Sequence, residues 1–465
     1  MLFTSAIFLI GILPWFIILY NLIGTKNNKG KYILLFLANS IFYVWGGIGA
    51  FLMILVFSII IRILSILLVK VKKKWALAIS IVISVAPLLV IKYTLFVIKT
   101  INSMTGTHIE TVSFIVPLGI SFITFEAVSF LVDLYKGKID KKTSLLNIYL
   151  YLTFFSTVTS GPIIRYNEFM DGLLDKTTES EKGKTSKANY VSAMERIIFG
   201  LSKKVLIADK IAPLVNYYFD GVAQGNTFSG LDLWMGSIAY TLQLYFDFSG
   251  YSDMAIGIGQ LLGFDIRENF NHPYRGSSIS DFWKRWHMSL TQWFRDYIYI
   301  PLGGNRCSKP RHLFNMLVVW MLTGLWHGAD WSFIVWGIGY FILLVLEKYA
   351  PFMKKVGSGI IGHIYMLFFV NLLWVPFRAD NLMVAGKYIK GMFSGNYTPD
   401  GKAYNYIILL IIAVLLCFPL EKLFSRFTDK KWFVIFKGIA VIVCASFALF
   451  AVVNSSYVPY IYGNF

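Results

Sequence analysis

The sequence has little charge and almost no cysteine. Charged residues make up 15% of its 465 residues, whereas soluble proteins carry about 25%. Hydrophobic residues make up 57%, and the mean hydropathy is +0.63. This composition excludes an ordinary soluble domain and indicates a protein that crosses a membrane several times.

Several kinds of active site are also missing from the sequence. The cysteines are too scattered for a disulfide framework or a metal site. There is neither a Gly-x-Ser-x-Gly motif nor a P-loop, so neither a serine hydrolase nor a nucleotide-driven motor is indicated. The two histidines that are candidates for an active site, His287 and His327, lack Cys or Glu partners at ligand spacing, which argues against zinc. We therefore expect no metal and no tightly bound cofactor.

Long apolar runs occupy most of the chain. Because about 20 predominantly apolar residues cross a membrane, we predict an all-α polytopic membrane protein with about 11–12 crossings. Residues 191–222 are a more ambiguous segment, either re-entrant or interfacial. We expect one membrane domain, 1–465, made of N-terminal helices (1–113), a catalytic core (114–346) and C-terminal helices (347–465). The predicted spans are 2–22, 32–48, 49–69, 75–98, 112–134, 147–164, 231–263, 312–327, 331–346, 359–377, 404–420 and 432–453.

The net charge is +18, and the positions of the basic residues indicate how the chain is oriented in the membrane. Lys and Arg cluster in short loops between apolar runs, which argues against a nucleic-acid-binding face. Basic loops that contain Lys26, Lys70 and Lys136 follow the first, third and fifth predicted spans. Such loops lie preferentially on the cytoplasmic side. We therefore expect both termini to be extracytoplasmic and the loop 264–311 to be cytoplasmic, while the topology of 165–230 stays open.

Charged and polar residues inside predicted spans are functional candidates, because a charge at the bilayer centre costs roughly 2.5–3.5 kcal/mol. Gln243 and Asp247 lie four residues apart and share a helix face, whereas Asp253 faces elsewhere. These side chains either hold neighbouring helices together or line a substrate path.

Two further charged residues lie earlier in the chain. Glu126 is expected to have a packing role. Arg165 follows a predicted helix break at Gly161–Pro162. Its guanidinium either binds a phosphate or carboxylate or extends to the membrane surface.

Residues 283–297 have the spacing of an amphipathic helix with a basic and an aromatic side, which is typical of a helix in the membrane interface. His287 lies on the aromatic side, next to Trp286. A histidine at this position is either a buried core residue or part of an active site. The basic surface nearby could attract a phosphorylated donor from the cytoplasm.

His327 lies between two apolar runs that are each shorter than a full span. Trp326 and Trp331 flank its turn, and we expect Gly324 and Gly328 to remove bulk around the imidazole. An imidazole with a pKa of about 6.5 can accept a proton from a hydroxyl near neutral pH. His327 is therefore either a catalytic base or a buried histidine bonded to a backbone carbonyl.

Most of the candidate site residues lie in six segments. In chain order these are SFITFEAVSFLVDLYKG, FFSTVTSGPIIRY, YFDFSGYSDMAIG, ENFNHPY, DFWKRWHMSLTQWFRDYIYIPLGGNR and TGLWHGADWSFIVWG. Together they cover roughly residues 114–340 and resemble the membrane-bound O-acyltransferase (MBOAT) family. VNLLWVPFRAD at 370–380 is similar as well. YIPLGGNR and the chain length resemble the alginate O-acetyltransferase branch, which includes other polysaccharide acetylases.

The resemblance implies that His327 is the catalytic histidine of the family. It implies that His287 occupies a second motif position, where many relatives have Asn. It also implies a ring of tilted helices around a thinned centre, where tunnels from both membrane faces meet. Glu126 departs from the branch's pattern, which predicts Gln. The candidates for lining the tunnel are Arg165, Gln243, Asp247, Asp253, Trp286 and Trp326.

The resemblance further implies an O-acyltransferase in a bacterial cell membrane. The donor would be acetyl-CoA or another acyl thioester, such as an acyl carrier protein, on the cytoplasmic side. The acyl group would cross the membrane for O-acetylation of a cell-surface or secreted polysaccharide, with an extracytoplasmic SGNH-type acetyltransferase as partner. His327 would deprotonate or orient the accepting hydroxyl, while His287 or a nearby dipole would stabilise the developing charge.

Two other functions fit parts of the pattern. The first is D-alanyl transfer to teichoic acid from a carrier protein, because that branch shares the Trp-His and Gly-Pro-Ile motifs. The second is a non-enzymatic transporter of acyl or polysaccharide intermediates. A transporter would predict inverted repeats, and the sequence shows none.

Overall fold

The structure is a computed structural model, and it describes most of the membrane protein in atomic detail. All secondary structure in the described residues is helical, which confirms the predicted all-α class. Contacts divide the described chain into two units, residues 5–197 with 252–267 and residues 198–251 with 268–454. The described residues are 5–24, 28–111, 114, 116–174, 187–356, 359–395, 398–420, 424–427 and 430–454.

Within the described residues, five helices are long and apolar enough to cross a membrane. Large apolar side chains on them, such as Val82 and Ile442, are 67% and 66% exposed. A surface of this kind suits lipid chains rather than water. The number of crossings stays a prediction. The five helices are Ile48–Val71, Lys74–Thr105, Trp331–Tyr349, Gly359–Arg378 and Lys431–Asn454, and Ile7–Ile23 and Lys402–Leu416 are shorter apolar helices.

The first unit contains the N-terminal helices. Helices Lys187–Ser202 and Gly230–Leu261 each contribute residues to both units. The other helices of the first unit are Ile7–Ile12 (π-helical), Leu13–Gly24, Asn28–Trp45, Ile48–Val71, Lys74–Leu88, Leu89–Tyr93 (π-helical), Thr94–Thr105, Ile120–Tyr135, Leu145–Leu152 and Tyr166–Leu173.

The predicted span 147–164 is wrong as a continuous helix, because the helix ends at Leu152. The side chain of Asn39 replaces the missing helical hydrogen bonds. Its amide nitrogen donates to the Leu150 carbonyl at 3.3 Å, and its oxygen accepts from the Phe155 backbone N–H at 3.1 Å. Irregular backbone inside a membrane protein needs such internal partners. The chain therefore leaves the helix well before the predicted break at Gly161–Pro162.

The second unit contains both candidate histidines. A π-helical segment, Lys203–Ala208, continues the helix Lys187–Ser202 into Asp209–Ala223. The remaining elements are Pro273–Arg275 (3-10), Ile279–Trp283, Met288–Phe294, Arg295–Tyr299 (π-helical), Lys309–His327, Trp331–Tyr349, Met353–Val356, Gly359–Arg378, Leu382–Met392, Lys402–Tyr406 (3-10), Ile407–Leu416, Ser425–Phe427 (3-10) and Lys431–Asn454.

Candidate active site

His327 is the last residue of the helix Lys309–His327, and its side chain is buried. Gly328 follows in an extended conformation, and the next helix begins at Trp331. Asp330 caps that helix, because its side-chain oxygen accepts from the Ser332 backbone N–H at 2.8 Å. The histidine therefore lies at a short turn between two packed helices.

Two glycines allow these helices to approach closely. A Cβ atom on Gly324 would collide with the backbone carbonyl of Phe333, and one on Gly337 would collide with that of Trp320. At Gly328 a Cβ atom would collide with the Phe333 ring. Whether Gly324 and Gly328 also clear space around the imidazole, as predicted, stays a prediction. They make room for Phe333 and for close contact between the helices.

Aromatic rings surround the imidazole of His327. Ring centroids lie 4.8 Å away for Trp326, 5.0 Å for Trp336 and 5.1 Å for Phe377. The Trp336 ring is nearly perpendicular to the imidazole, at 83°, an edge-to-face arrangement that aromatic pairs prefer. It also stacks on Trp374 at 5.9 Å. This shell restricts the orientation of His327 and excludes bulk water.

His287 lies in the turn between two short helices rather than within one helix. The single helix predicted over 283–297 is wrong, because Ile279–Trp283 ends before His287 and Met288–Phe294 begins after it. His287 has a φ of 44°, in the left-handed region. A non-glycine residue needs strong local contacts to remain in that region.

Asn269 supplies those contacts. Its side-chain oxygen accepts from the Ser289 backbone N–H at 3.1 Å and from the Ser289 hydroxyl at 2.9 Å. The backbone carbonyl of Asn269 also accepts from the Met288 N–H at 2.9 Å. Three hydrogen bonds, two from backbone N–H groups and one from the Ser289 hydroxyl, thus hold the turn around His287.

The same oxygen determines the tautomer of His287. Its Nδ1 lies 3.2 Å from the side-chain oxygen of Asn269. The backbone N–H of Ser289 can only donate, so the Asn269 atom that it contacts is the oxygen. An oxygen can only accept here, so Nδ1 of His287 carries the hydrogen. In the neutral ring, Nε2 then has the lone pair.

Burial keeps this imidazole neutral. The side chain of His287 is fully buried, and its segment, 279–299, is none of the five apolar spans. Burial lowers the pKa of His287 to about 3, since desolvation disfavours the charged form. At neutral pH, Nε2 can accept a proton or a hydrogen bond but cannot donate one.

Trp326 is a neighbour of both histidines. Its ring centroid lies 4.8 Å from that of His327 and 5.9 Å from that of His287. Phe248 packs perpendicular to His287 at 4.7 Å. Trp286 is fully buried against Trp374 at 5.2 Å. Of the predicted site residues, both histidines and both tryptophans thus belong to one aromatic cluster.

A cavity of about 280 Å³ lies between residues 280–299 and the helix pair that carries His327. Trp283, Trp320 and Thr323 form part of its wall. Lys284 and Arg295 also line it and are exposed. The open side of the cavity is therefore basic, while its wall is mainly apolar and aromatic.

A buried histidine lies next to this basic side. Tyr299 lines the cavity, and its hydroxyl lies 2.8 Å from Nε2 of His312. The Lys348 ammonium group lies 3.2 Å from the same nitrogen, and the Tyr349 hydroxyl lies 2.7 Å from Nδ1. An ammonium group can only donate, so Nε2 accepts and His312 is neutral. Four side chains thus form one hydrogen-bonded cluster.

Asp247 has a buried counter-ion that the sequence analysis missed. The Lys204 ammonium lies 2.7 Å from Asp247 and 2.7 Å from Asp209. Lys204 belongs to the π-helical segment, a kind of turn found often at functional sites. Gln243, one turn before Asp247, is buried, and its side-chain oxygen accepts no hydrogen bond from the described residues. A tunnel-lining role for both residues stays a prediction.

The other predicted polar residues lie in the first unit. Asp253 accepts from Arg196 at 3.0 Å and 3.1 Å. Arg165 precedes the helix Tyr166–Leu173, where its backbone N–H donates to Glu168 at 3.2 Å. Glu126 is buried. The ion pair accounts for a structural role of Asp253, whereas the contact given for Arg165 involves only its backbone. The tunnel role of both residues stays a prediction.

Sequence reasoning overlooked two residues that position the site, Asn269 and Glu347, and the buried counter-ion Lys204. Asn269 lies in the quoted segment ENFNHPY, and Lys204 lies in an apolar run. Glu347 accepts from the backbone N–H groups of Ile279 and Ser280 at 2.5 Å and 2.9 Å, which holds the start of the helix that carries Trp283. A polar residue at the end of an apolar span was the available signal for Glu347. In the described residues, no group of three His, Cys, Asp or Glu side chains could hold a metal.

Comparison with known proteins gives several relatives. The sequence model of the "membrane-bound O-acyltransferase family" matches residues 34–358. "Probable alginate O-acetylase AlgI" of Azotobacter vinelandii is 36% identical over 430 residues, which are 90% of this chain and 83% of that protein. "Peptidoglycan O-acetyltransferase" of Helicobacter pylori is 34% identical over 435 residues, covering 85% and 80%. "Teichoic acid D-alanyltransferase" of Bacillus subtilis is 29% identical over 250 residues, covering 51% and 60%.

Proposed function

Because the chain belongs to the membrane-bound O-acyltransferase family and is an O-acyltransferase, we propose that it transfers an acetyl group from a cytoplasmic thioester. The acetyl group then serves the O-acetylation of a cell-surface or secreted polysaccharide. Relatives named for alginate and peptidoglycan acetylation match most of this chain. Enzyme family membership argues against the non-enzymatic transporter.

One observation carries the proposal. Two buried histidines share Trp326 as a neighbour, and a cavity with a basic open side lies beside the same helix pair. Lys284 and Arg295 on that side suit a donor with phosphate groups, such as acetyl-CoA or an acylated carrier protein. The basic residues also support a cytoplasmic location for this side, since cytoplasmic loops are rich in Lys and Arg. Both termini would then be extracytoplasmic.

His327 acts as the general base in the proposed reaction. It accepts the proton of the acceptor hydroxyl, whose oxygen attacks the carbonyl carbon of the thioester. The carbon–oxygen bond forms, the carbon–sulfur bond breaks, and the leaving thiolate takes the proton back from the imidazolium. Atoms and charge balance without a further reactant.

His287 has a different part in this scheme from the one that the resemblance implied. Its neutral Nε2 carries a lone pair, so it accepts a hydrogen bond from a second donor group of the acceptor molecule and thereby orients the attacking hydroxyl next to His327. Stabilisation of the negative oxygen then requires another donor in the aromatic shell. The acceptor hydroxyl belongs to the polysaccharide or to a serine of an extracytoplasmic SGNH-type partner that passes the acetyl group on.

The first test is His327→Ala in membranes that contain the full chain and its partner. General base catalysis contributes about 100-fold to 10,000-fold, so we expect transfer of labelled acetyl from acetyl-CoA to fall by at least about 100-fold. The exposed His108 provides a matched control, His108→Ala, with unchanged transfer. Normal transfer by a folded His327→Ala protein would contradict the proposal.

D-alanyl transfer is the second candidate, because the teichoic acid enzyme matches half of the chain. Both reactions use a thioester, and they differ in the group that moves. Membranes are therefore supplied in parallel with labelled acetyl-CoA, with an acetylated carrier protein and with a D-alanylated carrier protein. Label that reaches polymer only from the D-alanyl donor would replace acetyl transfer by this second function.

A further inference from the structure

Three hydrogen-bond donors are buried in the aromatic cluster that includes the candidate base. They are the indole N–H groups of Trp283 and Trp336 and the hydroxyl of Tyr340. Trp336 and Tyr340 are fully buried, and Trp283 is 6% exposed. Among the described residues, none of the three has a hydrogen-bond partner. Buried donors in native proteins are nearly always paired, since leaving one unpaired costs free energy comparable to a lost hydrogen bond.

The three side chains form one group. The ring centroids of Trp283 and Tyr340 are 5.0 Å apart, those of Trp336 and Tyr340 are 5.1 Å apart, and those of Trp283 and Trp336 are 5.8 Å apart. Trp283 lines the cavity, and Trp336 lies 5.0 Å from His327. The group therefore extends from the cavity wall to the candidate base.

The group mainly donates hydrogen bonds. An indole N–H can only donate, so a ligand must present hydrogen-bond acceptors to Trp283 and Trp336. The rings that pack against Trp336 include those of Trp374 and Phe377, which offer no charge to an ionic ligand at this depth. A chain of carbonyl groups separated by apolar links would satisfy both requirements.

We propose that Trp283, Tyr340 and Trp336 bind the carbonyl oxygens of a pantetheine-type thioester donor. Trp283 and Tyr340 bind the amide oxygens of the arm, and Trp336 binds the thioester oxygen beside His327. This inference rests on the proposed function, because it specifies the donor that reaches His327. The bound arm extends from the basic side of the cavity to the aromatic shell.

The Trp336 contact becomes stronger during the reaction. When the hydroxyl oxygen attacks the thioester carbon, the carbonyl oxygen gains negative charge, and a preplaced N–H stabilises this charge without reorganisation. The amide oxygens do not change charge. Trp336 therefore affects the rate of the chemical step, whereas Trp283 and Tyr340 affect donor binding.

The test removes each donor group and keeps a ring in place. Trp283→Phe, Tyr340→Phe and Trp336→Phe are assayed in the full chain with acetyl-CoA, an acetylated carrier protein, S-acetylpantetheine and the acetyl thioester of a plain alkanethiol. For the three arm-bearing donors, we expect Trp283→Phe and Tyr340→Phe to raise KM about 5–10-fold, the size of one lost hydrogen bond. Their kcat/KM with the alkanethiol thioester stays unchanged.

We expect Trp336→Phe to lower kcat about 100–1,000-fold with every thioester, because the thioester oxygen is common to all of them. Trp432→Phe is the matched control, since that indole is 54% exposed on an outer helix. Equal melting temperatures in detergent show that the variants are folded. Trp283→Phe and Tyr340→Phe variants that treat all donors alike would overturn the arm-binding role.

The outcomes separate this inference from the function on which it rests. A wild-type protein that uses no thioester at all would remove the proposed function. A wild-type protein that uses them, with unchanged KM in both Trp283→Phe and Tyr340→Phe, would overturn only the carbonyl contacts. A rate with the carrier protein far above that with acetyl-CoA identifies the natural source of the arm.

Discussion

His287 donates the hydrogen on its Nδ1 to the side-chain oxygen of Asn269, 3.2 Å away. Asn269 also accepts from Ser289 and holds the left-handed turn at His287. One asparagine thus determines both the backbone conformation and the tautomer of a candidate active-site residue. The position of the lone pair on Nε2 follows from this contact.

Replacing Asn269 should separate these two effects. Asn269→Leu removes the acceptor, so we expect kcat to fall by up to about 100-fold, the size of the loss when a catalytic or orienting group is misplaced by about 1 Å. Asn269→Asp keeps an acceptor and should retain most activity. Nitrogen-15 NMR of labelled histidine reports the tautomer directly. Wild-type kcat in a folded Asn269→Leu protein would contradict the positioning role, and Asn454→Leu on the outer helix is the control.

Acid should destabilise the wild-type protein more than His287→Gln. The pKa of His287 is about 3 in the folded protein and about 6.5 in an unfolded chain. The neutral ring therefore contributes its full stability above pH 6.5, and this contribution is lost as the pH falls from 6.5 towards 3. At pH 5 the loss is about 2 kcal/mol. Melting temperatures at pH 7.5 and 5 measure it, and equal losses in both proteins would refute the prediction.

A methyl group at Gly324 should damage both stability and activity. The added Cβ atom collides with the Phe333 carbonyl, which a backbone cannot easily avoid. Overpacking of this kind costs typically 1–3 kcal/mol, and we expect a shifted His327 to lose about 10-fold in kcat. Gly438→Ala is the control, because a Cβ atom there meets nothing within 4 Å. Thermal unfolding and transfer rates are measured on both variants. Equal stability and equal kcat in the two variants would contradict the prediction.

Removal of Lys204 should strongly destabilise the protein, and a second substitution should restore part of the lost stability. Lys204→Met leaves Asp247 buried without its counter-ion, and breaking such a pair costs about 3–5 kcal/mol. Adding Asp247→Asn removes the stranded charge and should restore part of the stability. Lys210→Met, an exposed neighbour on the following helix, should change little. A double variant as unstable as the sum of the single variants would show that the two residues do not interact.

Apolar runs alone predicted much of the helical framework. The run 359–377 corresponds to the helix Gly359–Arg378, and 331–346 corresponds to Trp331–Tyr349. His327 was visible because it interrupts apolar sequence. These features depend on local composition, which a single sequence contains.

The break at His287 was not visible, because it depends on a residue 18 positions away. The spacing of residues 283–297 suits a continuous amphipathic helix, and only the contacts of Asn269 favour the turn. Lys204 was overlooked for a similar reason, since its carboxylate partner lies on another helix. Whether Trp283, Trp336 and Tyr340 lack hydrogen-bond partners likewise depends on three-dimensional packing.

The ion pair of Lys204 and Asp247 also restricts how the protein is made. The two residues are 43 positions apart, so Lys204 leaves the ribosome well before its partner. Both side chains are buried, so a Lys204 buried without its partner would lose its contact with water and gain nothing in return. We therefore expect the segment around Lys204 to keep its contact with water until Gly230–Leu261 arrives. The two segments then become buried as a pair, which makes residues 198–251 one cooperative unit of folding.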